Sequence, residues 1–300
     1  MIRRFLILLV PAVVVSFFHL AATRAESAGS CGLVIAVEGD VRVIHAGRTK
    51  PAIEGLVLEP GDTISIEAGG VCSGFGIDGS SFRVSGPVEL VIENSARDSA
   101  LDKVRGFIAR QLAQWSGSSR SRSLVSRSAR DWKHEIPVPA TIIPGPDGAV
   151  RASEPRFVWS TIPGIDQYVV TIAPDDGKEI KRTVSGHSMV DRDIEPAKSY
   201  VWKVEAQSGG TGQVSNWSAF RVMAPDEERQ LDEALSRLSD LEAGVLLYSV
   251  GLHDEAVYRL DAAVNAGSQR RSALRWRAQV LSAIGFDKEA YEDLVQTIEG

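Results

Sequence analysis

The ten residues Gly251-Leu-His-Asp-Glu-Ala-Val-Tyr-Arg-Leu260 return 34 positions later as Gly285-Phe-Asp-Lys-Glu-Ala-Tyr-Glu-Asp-Leu294. A period of that length belongs to a helical hairpin, a unit that cannot bury its apolar face alone and so stacks on a neighbour. Gly244 and Ala278 hold one small position in the two copies, Ala256 and Ala290 a second, and Leu260 and Leu294 the bulky position that follows. Small residues there permit close helix approach. The pattern therefore predicts two hairpins whose tightest contacts fall at Gly244 with Ala256 and at Ala278 with Ala290. Upstream, Pro225 ends a strand pattern and Asp226 opens a tract in which Leu231, Leu235, Leu238 and Leu241 share one helical face, a cap for the array. Residues 226–300 are expected to be a separable helical unit that binds a protein through its grooved flank, with residues 32–222 folded without it.

The 300 residues suit two or three domains, and 44% hydrophobic with 24% charged residues is the composition of a globular chain. Arg3 and Arg4 precede an apolar stretch from Phe5 to about Ala22, and small residues around Ala25 offer a cleavage site. This reads as an export signal over residues 1–25, with retention of 5–22 as an anchor as the alternative. Cleavage removes three arginines and no acid, taking the formal charge from −6 to −9. So acidic a chain is a poor general nucleic-acid binder, because that binding rests on neutralising phosphates. Both cysteines, Cys31 and Cys72, follow the cleavage site, where an oxidising compartment permits a disulfide between them; two unpaired small core residues are the other reading.

From Gly32 to about Glu93, short strands alternate with turn residues. Pro60-Gly61 suits a type II turn and Asp78-Gly79 a hairpin. Residues 137–223 return to alternation in longer strands, with Tyr200, Trp202 and Val204 on one face. The fold class is thus multidomain and mainly β, with an all-α helical-repeat end.

Three resemblances rest on these residues. Gly39-Asp-Val41, Gly55-x-x-Leu58-x-x-Gly61-Asp62-x-Ile64 and Asp78-Gly79-Ser80 resemble the FecR-like domain of bacterial envelope proteins, placed at residues 32–95. That resemblance implies an extracytoplasmic β module used in sensing or binding. Pro155-x-Phe157-x-Trp159, Tyr168 and Tyr200-x-Trp202-x-Val204 resemble a fibronectin type III domain. The positions 244, 256, 260 and their partners at 278, 290, 294 resemble the tetratricopeptide repeat. Together they imply a non-catalytic exported binding or scaffold protein of the cell envelope; the alternative is a FecR-type signal-relay component acting through a membrane partner.

Between the two β regions, Leu101, Val104, Ile108, Leu112 and Trp115 fall on one helical face, followed by a Ser/Arg-rich linker over 116–136. Seven basic residues and no acid lie between Lys103 and Arg130. This basic segment 103–130 reads either as a contact to an anionic surface or envelope polymer, or as a helix over 100–115 capping the β module, with a solvated linker. Gly70-Val-Cys72-Ser-Gly74 has the letters of a nucleophile elbow and Gly74-Phe-Gly76-Ile-Asp-Gly79 those of a dinucleotide loop, but both need a following helix and a strand pattern follows. His45, His134, His187 and His253 show no metal-ligand spacing. No catalytic, metal or cofactor site is expected.

Overall fold

Leu33-Val-Ile-Ala-Val37 is apolar at every position, the pattern of a strand covered on both faces. In the computed structural model it forms the centre of β1 (Gly32–Glu38), and its two faces serve different cores. The structure describes residues 32–76, 79–92, 142–174, 177–207 and 213–299. The export signal over 1–25, the helix over 100–115, the linker over 116–136 and Cys31 lie outside the described residues.

Seven further strands complete the first domain: β2 (Val41–His45), β3 (Arg48–Pro51), β4 (Val57–Leu58), β5 (Thr63–Ile66), β6 (Val71–Phe75), β7 (Ser81–Ser85) and β8 (Val88–Val91). They make two antiparallel four-stranded sheets, ordered β4-β1-β6-β7 and β3-β2-β5-β8. Val34 of β1 joins Val41, Val43, Ile64, Ile66 and Cys72 in the core that the sheets share. The expected turn at Pro60-Gly61 is present, with Gly61 at φ +88 and Asp62 N donating to Glu59 O at 3.1 Å. The β6–β7 hairpin is present too, with Phe75 opposite Ser81.

Cys72 lies in β6 opposite Val37 of β1 and is a free, buried thiol; Cys31, its expected disulfide partner, lies outside the described residues.

The second domain comprises β9 (Ile142–Ile143), β10 (Gly148–Val150), β11 (Arg156–Trp159), β12 (Gln167–Pro174), β13 (Ile180–Ser185), β14 (Ser188–Val190), β15 (Ser199–Ala206), β16 (Gln213–Val214) and β17 (Ser218–Val222). One sheet runs β10-β17-β15-β12-β13 with β16 beside β15; the other runs β14-β11-β9. β10 pairs parallel to β17 and the remaining pairs are antiparallel. Phe157 sits edge-on to Trp202 and Phe220 at 4.9 and 5.3 Å between ring centres, so facing strands interlock through aromatics. Tyr200, Trp202 and Val204 are buried on one face, as their alternation implies.

Five helices follow: α1 (Pro225–Leu235), α2 (Asp240–Val250), α3 (His253–Ala266), α4 (Arg270–Ala283) and α5 (Asp287–Glu299). Pro225 suits the first turn of α1, where a missing N–H costs nothing. Ser239 and Glu242 close a capping box at the start of α2. The helices share a core with the β domains, where the sequence led us to expect a unit standing apart. Leu33, Ile35 and Phe75 of the first domain, Ala149 and Met223 of the second, and Leu231, Leu246, Leu260 and Trp276 of the helices belong to one continuous core. α2 is buried along nearly its whole length. The helical unit is the hub on which both sandwiches sit.

Candidate protein-docking surface

The two hairpins turn alike, residue for residue, between their helices. Gly251 and Gly285, 34 positions apart, adopt φ of +91 and +89, a conformation that a side chain would strain. Each is followed by the same bond: Leu252 N donates to Leu247 O at 3.0 Å, and Phe286 N to Leu281 O at 2.9 Å. α3 and α5 then begin 34 residues apart, at His253 and Asp287. Gly244 is small because a Cβ there would stand 2.6 Å from Leu260 Cγ; Ala256, the expected closest contact, comes after it, with its carbonyl oxygen at 3.4 Å. Ala256, Ala278 and Ala290 are all buried.

The correspondence breaks at the bulky position. Leu260 is 0% exposed and Val264 8%, in a core to which α2, α3 and α4 all contribute. Their counterparts 34 residues on, Leu294 and Ile298, are 45% and 81% exposed. Tyr291, the counterpart of Val257, is also exposed. Leu294 was expected to be a packing residue like Leu260; α3 lies between α2 and α4, whereas α5 has only α4 beside it among the described residues. Meanwhile α5 turns Ala290, Asp293 and Thr297 inward. Its stripe facing solvent is thus more apolar than its buried one.

The flank formed by α2 and α4, by contrast, is occupied by the chain itself. Trp276 Nε1 donates to Ile35 O at 2.8 Å, Arg275 Nη1 to Glu54 Oε2 at 2.6 Å, and Gln269 Nε2 to Ser73 Oγ at 2.8 Å. On the second domain, Ala149 N donates to Gly251 O at 2.9 Å, and Arg221 binds Glu227 through two bonds of 2.8 Å. Arg151 reaches Glu255 at 2.6 and 2.9 Å and Asp232 at 2.7 Å. Burial works against the charge of Arg151, but its bonds to Glu255 and Asp232 outweigh that and raise its pKa. Burial likewise opposes the Glu228 carboxylate, yet bonds from the Ser153 side chain and backbone, with the charge of Arg151, hold its pKa below the usual value. The grooved flank expected to take a partner is filled by the β domains.

Within the array, Arg277 of α4 donates to both oxygens of Asp293 on α5, at 2.5 and 2.7 Å, and to Asp261 of α3. Those bonds, with Asp293 first, raise its pKa against the effect of burial. One guanidinium therefore ties three helices.

Gly70-Val-Cys72-Ser-Gly74 runs into β6, and β7 rather than a helix follows. Burial, with the charge of Glu54, pushes the Cys72 thiol up to about 12, so it stays protonated. Gly74 answers to packing, since a Cβ there would meet Leu33 O at 2.2 Å. His45 Nδ1 lies 2.6 Å from Asp62 Oδ1, but no cluster of three metal-ligating side chains occurs among the described residues. No described helix is long and apolar enough to cross a membrane.

Sequence reading missed Glu54, Arg151, Arg275 and Trp276, the residues that join the domains. The signal was the unbroken apolar run of β1, which announces burial on both faces.

No family model matches the chain, and no curated protein matches it. Among solved structures it is similar to a Fn3-like protein from Clostridium thermocellum, at 19% identity over 26% of this chain and 88% of that chain, with a TM-score of 0.23.

Proposed function

We propose that this chain is a non-catalytic, exported binding or scaffold protein of the bacterial envelope. In this reading a FecR-like and a fibronectin-like β domain are held by tetratricopeptide-like helices, which dock a protein partner at the outer end of the array. The observation that carries it is the contrast between Leu260, wholly buried, and Leu294 and Ile298, exposed at the matching positions. A contiguous apolar stripe on a surface helix marks an interaction site more often than chance exposure does. The two sandwiches share a core with the helices, an arrangement that suits a scaffold.

The test is co-purification from the native envelope with the Leu294→Glu, Ile298→Glu double variant as comparison. A protein recovered near stoichiometry with the wild-type chain should drop at least tenfold with the variant. Equal recovery from both would remove the helices from the binding reaction.

A further inference from the structure

The chain contains its own template for what covers a helix face of this kind. α4 lies on α3, and its sequence, RRSALRWRAQVLSA, carries four arginines and no acid. α3 carries three acids, Asp254, Glu255 and Asp261, against Arg259. Arg277 ties the two by its bond to Asp261. The covering helix is thus basic and amphipathic, and it meets an acid of the covered helix at Asp261.

α5 repeats the covered half of that pair. Over Asp287–Glu299 it has five acids and one lysine. Asp293 is neutralised by Arg277, while Asp287, Glu289 and Glu292 are exposed. The negative end of the helix dipole adds to this field at its C-terminus. A second copy of the same face would bring like charges together, and an anionic membrane would be repelled. We infer that the exposed face of α5 takes a basic amphipathic helix of a partner protein, laid across Leu294 and Ile298 as α4 lies against α3. This deepens the docking function proposed above and rests on it.

The experiment uses the full chain and two blocked synthetic peptides: the α4 sequence 270–283, and the same sequence with its four arginines replaced by glutamate. Both share one apolar stripe and differ in charge. Fluorescence anisotropy should show the arginine peptide binding at least tenfold tighter than the glutamate peptide, with affinity falling as salt is added. The Leu294→Glu, Ile298→Glu variant, whose changes are at exposed positions, should lose at least tenfold in affinity while keeping the wild-type circular dichroism. If both peptides bind equally and both are lost in the variant, docking at α5 stands and the basic occupant is wrong. If the arginine peptide binds variant and wild type alike, or neither peptide binds, both readings fall. A dimer in sedimentation that Leu294→Glu dissociates, or Leu294-dependent flotation with phosphatidylcholine vesicles, would assign the stripe to a different occupant and overturn the proposal.

Discussion

The indole Nε1 of Trp276 donates a 2.8 Å hydrogen bond to the carbonyl oxygen of Ile35, 241 residues earlier in the chain. The bond is buried, and it joins the middle of β1 to the helix that holds the array together. Removing the donor strands a buried carbonyl, which costs about 1 to 3 kcal/mol. Trp276→Phe should therefore lower stability by that amount in urea denaturation, and Trp276→Ala by about 3 to 5 kcal/mol through the cavity it leaves. In both variants the β and helical signals should be lost in one transition. A helical transition separated from the β transition would show that the hub is not shared.

How the sequence was readable depends on where each signal lies. Alternation at Tyr200, Trp202 and Val204, the turn at Pro60-Gly61 and the period linking Gly251 to Gly285 are local, and each reappears in the structure. The union of helices with sandwiches is not local: Glu54 meets Arg275 and Ser73 meets Gln269 only after the fold is complete. Its trace, the apolar run Leu33–Val37, resembled an ordinary strand in an alternating region. The candidate face was half legible. Leu294 was located by the repeat, but its exposure depends on which helix follows it in space.

Gly244 offers a second test of the hairpin packing. A methyl group there would meet Leu260 Cγ at 2.6 Å and Cδ2 at 2.8 Å. Gly244→Ala should destabilise by about 1 to 2 kcal/mol, because overpacking exceeds the gain in helix propensity. In a Leu260→Ala background the clash is gone, and the same change should stabilise by about 1 kcal/mol. Equal effects in both backgrounds, measured by a double-mutant cycle, would remove the contact from the argument.

Acid should weaken the junction between the second sandwich and α1. The Glu228 pKa is lower in the folded chain than in the unfolded one, so its contribution is present above the unfolded value of about 4.3 and is lost as pH falls through the folded value. Glu228→Gln should cost stability at pH 7 and narrow the difference from wild type as the pH is taken below 4. A difference that stays constant from pH 7 to pH 3 would mean that the carboxylate charge plays no part.

The thiol of Cys72 gives a readout of the first sandwich. With a pKa of about 12 when folded, it has far less thiolate at pH 8 than an unfolded cysteine near 8.5, a ratio of about 10³. Iodoacetamide should modify Cys72 in the folded chain slower than in urea by at least that ratio, as followed by peptide mass spectrometry. Rapid labelling of the folded chain would place the thiol outside the core.

The central claim is that the α4 flank is taken by the chain's own β domains while the α5 face is left for a partner. Photo-crosslinking with p-benzoylphenylalanine at position 275 or position 298, in the native envelope, tests both halves at once. Position 298 should give a discrete adduct with another protein, and position 275, where Arg275 meets Glu54, should link only within the chain. Intermolecular adducts from 275 with none from 298 would contradict the account.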